Sequence, residues 1–516
     1  MFNRNGNPSG AKKPVIRREK VKVPVDQRTH AGNQNTAPSP KASSNRFQLS
    51  QRSDTKTLRS SASRTDDRPK EAKPLDPARR ALGIKHGVKR KSATPDGPMF
   101  SSDESDAATD AFEPTVTQKR PKRDSHAVEG SGSRRLLVLQ SAFEQGEGSA
   151  ESLFIHGADV TSGEYANKFH SPWDDEDVSV VELQYPTVGP PERFELKSPK
   201  NSADDYRPLE DMIETVKQIC EVYLPADVQD EHNHPQTRFV RRFGKAWRER
   251  NRSEVISTVH DFNTMLKRLV EDGTTRRQLA GQRALPRAMV SRIMTQIYSR
   301  TVSPKVEGLR RYENGSDNVY GELLSRFCSD IFNKVQLHHE HVFVDLGSGV
   351  GNVVLQAALE AGCESWGIEM MDNPCRLAEL QAREFPARTR LWGIHCGSVH
   401  LLQGDFTDNA EIAKVLQRAD VVLVNNQAFT PALNNKLRDM FLDLKPGCKV
   451  VSLKPFVPQG HKITMRNIGA VVNLFVQTKY EYFSESVSWT NEYGNWYVAE
   501  KDSGPLERFM KTNGLQ

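Results

Sequence analysis

A strand that runs directly into a glycine-rich turn and then into a helix limits the possible folds of this chain more than any other feature. Residues 342–352 read Val-Phe-Val-Asp-Leu-Gly-Ser-Gly-Val-Gly-Asn. Glycines let the backbone turn tightly and approach a ligand closely, because they have no Cβ. The same pattern occurs in dinucleotide-binding enzymes, so alone it indicates only a ligand of the nucleotide type.

Strands and helices alternate from His341 onward. The strand candidates are residues 341–346, 364–369, 421–425 and 448–453, and the helix candidates between them are residues 352–361, 373–385 and 431–442. This alternation predicts an α/β fold with a parallel, doubly wound, Rossmann-like sheet. Two late β-rich runs, residues 471–483 and 487–499, are expected to close the sheet with antiparallel strands.

Acidic residues near the ends of successive strands indicate which nucleotide binds. Asp345 lies just before the glycine turn and can face a cationic amino-acid group, while Glu369 ends the next strand and can accept hydrogen bonds from ribose hydroxyls. Asp405 and Phe406 follow the third strand, where a carboxylate and a ring can meet adenine. These groups match the three parts of S-adenosylmethionine, whereas a nicotinamide cofactor would need phosphate-binding donors.

Amphipathic helices precede this region. Apolar residues recur at helical spacing within residues 209–223, 255–269 and 289–297. Between the first two stripes, Phe239, Phe243 and Trp247 form an apolar face with cations around it. Such cations usually form a solvated surface and less often contact phosphate. We predict a helical subdomain at residues 206–315 and the methyltransferase domain at residues 316–516.

The N-terminal part of the chain is strongly basic. Residues 1–100 contain 23 Lys and Arg against 8 Asp and Glu. Low hydrophobicity predicts a disordered basic arm at residues 1–135, followed by a partly ordered linker at residues 136–205. The basic cluster at residues 119–123 resembles a nuclear import signal, so we expect a nuclear protein whose arm contacts DNA. A solvated tail without a partner is the alternative.

The remaining composition argues against several other classes. The six cysteines form no Cys-x-x-Cys pair and no Cys/His cluster with zinc spacing, so we expect reduced thiols in an intracellular protein and no bound metal. There is no signal-peptide core, and no apolar run approaches about 18 residues. We therefore expect neither secretion nor a membrane span.

Several ordered motifs resemble the disruptor-of-telomeric-silencing (Dot-type) family of histone methyltransferases, which lack a SET domain. The motifs are residues 297–302, 319–324, 344–352, 424–429, 452–456 and 486–490. The resemblance extends from about Pro286 to the last twenty residues, and the long basic arm resembles that of fungal members. It implies a class I methyltransferase fold.

The resemblance also implies roles for individual residues. The cofactor-binding residues would be Tyr320, Gly321, Glu322, Asp345, Gly347, Gly349, Glu369, Asp405, Phe406 and Asn425. The catalytic residues would be Asn425, Tyr320, Trp489, Trp496 and Tyr497. Asn425 would lie beside the transferred methyl group, and Trp489 with Trp496 or Tyr497 would wall the lysine channel. Family members usually carry phenylalanine where this chain has Gln427 and tyrosine where it has Trp496.

The activity implied by the resemblance is methylation of a lysine in the globular core of nucleosomal histone H3, in chromatin regulation and telomeric silencing. The implied partners are the nucleosome, with ubiquitinated histone H2B and histone H4. An RNA methyltransferase, a methyltransferase of another protein and an inactive chromatin-binding module are alternatives. Enzymes that methylate nucleic-acid amines typically carry Asn/Asp-Pro-Pro-aromatic after the fourth strand, where this chain has Asn-Asn-Gln-Ala at residues 425–428.

Overall fold

The computed structural model describes residues 134–144, 154–173, 179–200, 206–225, 235–310 and 320–515. Apart from Arg134 and Arg135, the predicted basic arm lies outside the described residues, as does the basic cluster at residues 119–123. The described residues all belong to one compact unit of the chain, residues 88–516. Among them, no helix is both long and apolar enough to cross a lipid bilayer.

The region before the helices contains two small antiparallel pairs of strands. Strand β1 (Phe169–His170) pairs with β4 (Ser198–Pro199), and β2 (Val180–Leu183) pairs with β3 (Glu192–Glu195). Burial alternates along β2 and β3, because successive side chains of a strand point to opposite faces.

Five helices follow. They are α1 (Pro208–Tyr223), α2 (Pro235–Arg248), α3 (Arg252–Glu271), α4 (Thr274–Gly281) and α5 (Arg287–Thr301). Helix α1 begins with a proline, whose fixed φ suits the first helical turn. Helix α3 is capped by the Asn251 side chain, which accepts a hydrogen bond from the backbone N–H of Glu254 at 3.0 Å. The three predicted apolar stripes form buried faces of α1, α3 and α5.

The C-terminal half contains a seven-stranded sheet. Its strands are β5 (Val342–Leu346), β6 (Glu364–Glu369), β7 (Val399–Gln403), β8 (Val421–Val424), β9 (Lys449–Ser452), β10 (Phe475–Tyr482) and β11 (Gly494–Lys501). The spatial order is β10-β11-β9-β8-β5-β6-β7, and β11 is antiparallel to both neighbours while the others run parallel. A doubly wound sheet with its last strand inserted in reverse is the class I methyltransferase fold, which confirms the predicted fold class.

Helices cover both faces of this sheet. They are α6 (Ser325–Val335), α7 (Asn352–Glu360), α8 (Asp372–Leu391), α9 (Ala410–Leu416), α10 (Pro431–Met440) and α11 (Gly504–Thr512). Phe343 of β5 packs with α6 and α7, whereas the next residue, Val344, packs with α9 and α10. The predicted end of α8 at residue 385 was wrong, since the helix continues through Pro386 to Leu391, which is buried.

One hydrophobic core joins the N-terminal segments and helices to the sheet. It contains buried residues of α1, α3 and α5 together with residues of α7 and α8. Tyr185 and Phe194, from the stretch predicted to be a linker, are fully buried in it. The early part of the chain therefore packs directly on the elements that carry the glycine turn.

Buried charges cross the same core. We call Glu192, Asp211, Arg292, Arg300, Glu384 and Arg388 the buried ion network. The Glu192 carboxylate of β3 lies 2.8 Å from Arg300 and 2.6 Å from Arg388, and all three side chains are fully buried. Asp211 of α1 pairs with both Arg292 and Arg300. Four elements far apart in sequence are thereby tied together.

Candidate active site

A cavity of about 620 Å³ lies where the parallel strands end. Its wall contains residues within two positions after the ends of β5, β6, β7 and β8, because the carboxyl ends of parallel strands meet at one edge of a sheet. The volume is typical of sites for small ligands, which span about 300–1,000 Å³. All ten residues predicted to bind the cofactor line it: Tyr320, Gly321, Glu322, Asp345, Gly347, Gly349, Glu369, Asp405, Phe406 and Asn425.

The glycine turn is tied to the neighbouring strand. Gly347 and Gly349 have φ values of +91° and +56°, which L side chains rarely adopt. The backbone N–H of Gly349 donates to the Glu369 carboxylate at 3.0 Å, and that of Gly347 donates to the carbonyl of Ile368 at 2.9 Å. A Cβ at Gly349 would lie 3.1 Å from the Tyr320 ring. The turn thus leaves room for only a bare backbone between the ring and the sheet.

Asp345 brings a buried carboxyl group to the cavity. Burial, with a smaller contribution from the charge of Glu369, raises the pKa of Asp345 to about 8. Among the described residues, no cation offsets these two effects at Asp345. The ammonium group of an amino acid would provide that cation, so the position suits the expected end of S-adenosylmethionine.

The loop that follows residue 319 closes one side of the cavity. The hydroxyl groups of Tyr320 and Tyr298 both donate to the Glu322 carboxylate, the latter at 3.0 Å. Burial raises the pKa of Glu322, and these two hydrogen bonds oppose the rise. Outside the loop, the Ser488 N–H donates to the carbonyl of Glu322 at 2.9 Å. Tyr298 lies in one of the family-like motifs, but its contact with Glu322 was not predicted from the sequence.

Within the described residues, the side-chain amide of Asn425 has a hydrogen bond at its nitrogen and none at its oxygen. Its Nδ2 donates to the carbonyl of Gly321 at 3.0 Å, while its buried Oδ1 has no hydrogen-bond partner there. The next residue, Asn426, is fully buried and accepts from the N–H groups of Leu453 and Lys454 at 3.0 and 2.8 Å. Asn426 therefore fixes the turn that presents Asn425 to the cavity.

Two aromatic rings line the part of the cavity expected to hold a base. The rings of Phe406 and Phe429 lie 6.2 Å apart with an interplanar angle of 30°. Asp405 is exposed, and its carboxylate accepts the N–H of Thr407 at 2.8 Å. Phe429 was not among the predicted site residues, although its motif was recognised. Gln427, where family members usually carry phenylalanine, is exposed and is not part of the wall.

The three aromatic residues expected around the lysine channel lie outside the cavity wall. Trp489 packs against it, because a Cβ at Gly321 would lie 2.7 Å from the indole ring. Trp496 is buried in the core, with its ring 5.8 Å from Phe327 and 4.8 Å from Tyr480. Tyr497 follows Trp496 on β11 and so points to the opposite face. The structure places Trp496 in the core between the sheet and α6.

The cavity residues fit S-adenosylmethionine. Asp345 offers a buried carboxyl group without a cation, Glu369 keeps free lone pairs, and Phe406 and Phe429 offer rings. Within the described ranges, no group of three or more His, Cys, Asp or Glu side chains is arranged to hold a metal ion.

Comparison with known proteins identifies the family. The family described as "Histone methylation protein DOT1" matches residues 298–500. An Emericella nidulans protein named histone-lysine N-methyltransferase, H3 lysine-79 specific, is 48% identical over 391 residues, which cover 76% of this chain and 77% of the relative. The chain belongs to the DOT1 family.

Two other DOT1 relatives carry the same printed name. The Aspergillus fumigatus protein is 46% identical, over 81% of this chain and 82% of the relative. The Gibberella zeae protein is 42% identical, over 80% of this chain and 83% of the relative. The DOT1 match begins at Tyr298, so the glycine turn, the loop with Tyr320 and Glu322, and Asn425 all lie within it. The predicted family and the predicted class of enzyme, a histone-lysine N-methyltransferase, are thereby confirmed.

Proposed function

We propose that this enzyme transfers methyl groups from S-adenosylmethionine to lysine 79 of histone H3 in assembled nucleosomes. The three relatives described above are named for that lysine. The observation that carries the proposal is Asn425, which lines a cavity suited to the methyl donor. Its buried Oδ1 has no hydrogen-bond partner among the residues that the structure describes. This oxygen can accept a hydrogen bond from an incoming amine, which is the group that a lysine methyltransferase must orient.

In this proposal, some residues of the chain hold the methyl donor and others orient the acceptor amine. S-adenosylmethionine, when bound, supplies an electrophilic methyl group on a positively charged sulfur. Asp345 binds the ammonium end and Glu369 the ribose, while Asn425 orients the amine for in-line attack. Burial raises the pKa of Tyr320 well above its usual value, so its hydroxyl stays protonated and holds Glu322.

The acceptor lysine must be neutral when it attacks. Its ordinary pKa is about 10.4, so most of it is protonated at neutral pH. Entry into a dry channel lowers that pKa, because desolvation disfavours the charged form. Trp489, packed against the cavity wall at Gly321, is the residue we assign to the mouth of this channel, with Tyr497 as a further candidate.

The proposal extends to where the enzyme works and what it contacts. We place it in the nucleus, acting in chromatin regulation and telomeric silencing. We expect the basic arm to bind nucleosomal DNA, and histone H4 and ubiquitinated histone H2B to be contacted by the folded part. The excess of Lys and Arg in residues 1–100 supports the DNA contact, because polyanion binding is driven by such charge.

Methyl incorporation should be compared on recombinant nucleosomes, free histones, H3 tail peptides and RNA, with the site mapped by mass spectrometry. We expect rapid reaction at lysine 79 on nucleosomes and little on peptides, because only the assembled particle fixes the geometry of a core lysine. A mapped site in the H3 tail, or faster reaction on RNA, would overturn the proposal.

Asn425→Ala tests the role of the unpartnered amide oxygen. Turnover on nucleosomes should fall by about 100-fold, in the range found when one positioned polar group is removed, with donor affinity changed far less. Gln427→Ala, at an exposed position two residues away, is the matched control and should keep its turnover. Near-native turnover of the Asn425 variant would remove Asn425 from the reacting centre.

A further inference from the structure

Helix α2 carries cations along one exposed edge. Arg238, Arg241, Lys245 and Arg248 are all exposed and follow one another at spacings of three, four and three residues. With about 3.6 residues per turn and about 1.5 Å rise per residue, they form a stripe about 15 Å long on one side of the helix. We call these four residues the α2 basic stripe.

The packing of α2 fixes the direction of this stripe. Phe239, Phe243 and Ala246 are buried on the opposite side, in the core shared with α1 and α3. Rotation of the helix would expose these apolar side chains to water, which is unfavourable. The stripe is therefore a fixed feature of the surface.

Nearby acids neutralise only part of the positive charge. Residues 235–252 contain seven Arg and Lys but a single acid, Glu249. Arg242 turns towards α3, where it pairs with Glu254 at 2.9 Å and Asp261 at 2.6 Å. Lys245 lies 4.0 Å from Glu249. Counted over the charged residues just named, the positive charge exceeds the negative charge along the stripe.

Helix stability does not explain this arrangement. Like charges three and four residues apart repel each other on a helix. Cations at the end of a helix interact favourably with its dipole, which accounts for Lys245 and Arg248. The same dipole disfavours Arg238, the fourth residue of α2, and gives no benefit to Arg241 in the middle. Helix stability therefore does not account for Arg238 and Arg241.

We propose that the α2 basic stripe binds the phosphate backbone of duplex DNA. Duplex DNA carries one negative charge per about 1.7 Å of its axis, so a stripe about 15 Å long faces several phosphates. Three of its four cations are arginines, whose planar guanidinium group matches phosphate geometry. This inference rests on the proposed action on nucleosomes and adds a DNA contact within the folded part of the chain, separate from the arm.

The surroundings of the stripe argue against other partners. Proteins that bind single-stranded nucleic acid usually offer exposed aromatic rings for stacking, whereas Phe239 and Phe243 are buried. The centre of a protein interface is usually apolar and poor in charge, which the stripe is not. The third aromatic residue of α2, Trp247, is half-buried, with its ring 5.6 Å from that of Trp173. A charged row whose neighbouring aromatic rings pack against the protein suits a backbone contact that does not read sequence.

The test uses the full chain with the triple substitution Arg238→Gln, Arg241→Gln and Lys245→Gln, because glutamine preserves helix propensity. The matched control replaces three exposed cations elsewhere, Lys414→Gln on α9 with Arg508→Gln and Lys511→Gln on α11. Affinity for short duplex DNA is measured by fluorescence anisotropy across a series of salt concentrations. Circular dichroism and donor affinity verify that both variants are folded.

The slope of log affinity against log salt should become shallower by about two to three units in the stripe variant, because about 0.9 unit is lost per phosphate contact. The control should keep the native slope, and Arg238→Lys with Arg241→Lys should keep most of it. Equal slopes for the stripe and control variants would overturn the inference. So would unchanged DNA binding with weakened binding to histone octamers, which would indicate an acidic protein surface instead. Neither result bears on whether the native enzyme methylates H3, so the two proposals fail separately.

Discussion

Two aspartates, Asp345 in the cavity and Asp211 in the buried ion network, are equally buried yet have opposite pKa shifts. Each is 3% exposed. At Asp345, burial and then the charge of Glu369 raise the pKa to about 8. At Asp211 burial also acts to raise the pKa, but Arg292 and Arg300 outweigh it and the pKa falls below its usual range. A buried charge with its partner in the chain holds the structure, whereas one without a partner marks a place for a ligand.

The same contrast extends to the surrounding side chains. In the network, Arg388 is held by Glu192 and by Glu384, at 2.6 and 2.8 Å. In the cavity, the Oδ1 of Asn425 is buried without a partner among the described residues. Buried polar atoms are nearly always hydrogen-bonded, so an unpartnered one beside a cavity calls for a ligand. The following predictions test this distinction, beginning with the largest effect.

Arg300→Met should destabilise the fold by about 3–5 kcal/mol, because it leaves buried carboxylates at Asp211 and Glu192 with less compensation. Denaturant-induced unfolding measures the change. Arg418→Met is the control, since the Arg418–Glu364 pair is partly exposed and such pairs contribute about 0–1 kcal/mol. Equal losses of unfolding free energy in the two variants would show that the buried ion network does not stabilise the fold.

Asp345→Asn should weaken binding of S-adenosylmethionine by about 1.5–3 kcal/mol, the contribution of a hydrogen bond to a charged group. In the native chain the free carboxyl, with a pKa of about 8, must lose its proton before it can pair with the ammonium group. Affinity should therefore rise between about pH 6 and about pH 8, by up to about tenfold per pH unit.

Calorimetry in buffers of different ionisation enthalpy checks this prediction, because the native chain should release a proton on binding and the variant should not. The Asp345→Asn fold should remain intact, since the Asp345 carboxyl group forms no ion pair with any residue that the structure describes. A native affinity that falls with increasing pH, or a variant that keeps the pH dependence, would contradict the assignment of Asp345 to the ammonium end.

Glu369→Gln should have the smallest effect, about 1 kcal/mol of donor affinity. The carboxylate accepts backbone N–H groups from Gly349 at 3.0 Å and Met371 at 2.8 Å, so its charge is already shared with the turn. Glutamine keeps one acceptor oxygen and loses the other. Titration calorimetry of the variant, compared with Asp345→Asn, gives the order of the two effects; a larger loss at Glu369 would reverse our ranking of the two acids.

The sequence located the cavity residues because they are set by local order along the chain. A residue that directly follows a parallel strand must lie at the carboxyl edge of the sheet, wherever the strand is placed. Asn425 directly follows β8, Asp345 and Glu369 lie within the last two residues of β5 and β6, and Asp405 comes two residues after β7. All four line the cavity. The parallel sheet and its late antiparallel strands were predicted from the same alternation, whereas the position of β11 between β9 and β10 is known only from the structure.

The rule that proline ends a helix failed in α8, where the burial of later residues outweighed it. Proline usually ends or kinks a helix, because it lacks an N–H and clashes with the preceding turn. Helix α8 nevertheless continues past Pro386, since Arg388 enters the buried ion network and Leu391 enters the core. The length of this helix is set by its neighbours and could not be read from its own residues.

By itself, the sequence determined the family, the fold class and the row of residues along the cavity. Only the tertiary structure decided where the side chains outside this row point and which residues they contact. Trp496 lies in the core, Tyr298 reaches Glu322, and Arg300 joins Glu192 across more than one hundred residues of chain. The physical reason is that such contacts depend on the packing of elements distant in sequence, whereas strand ends and glycine turns are specified by consecutive residues.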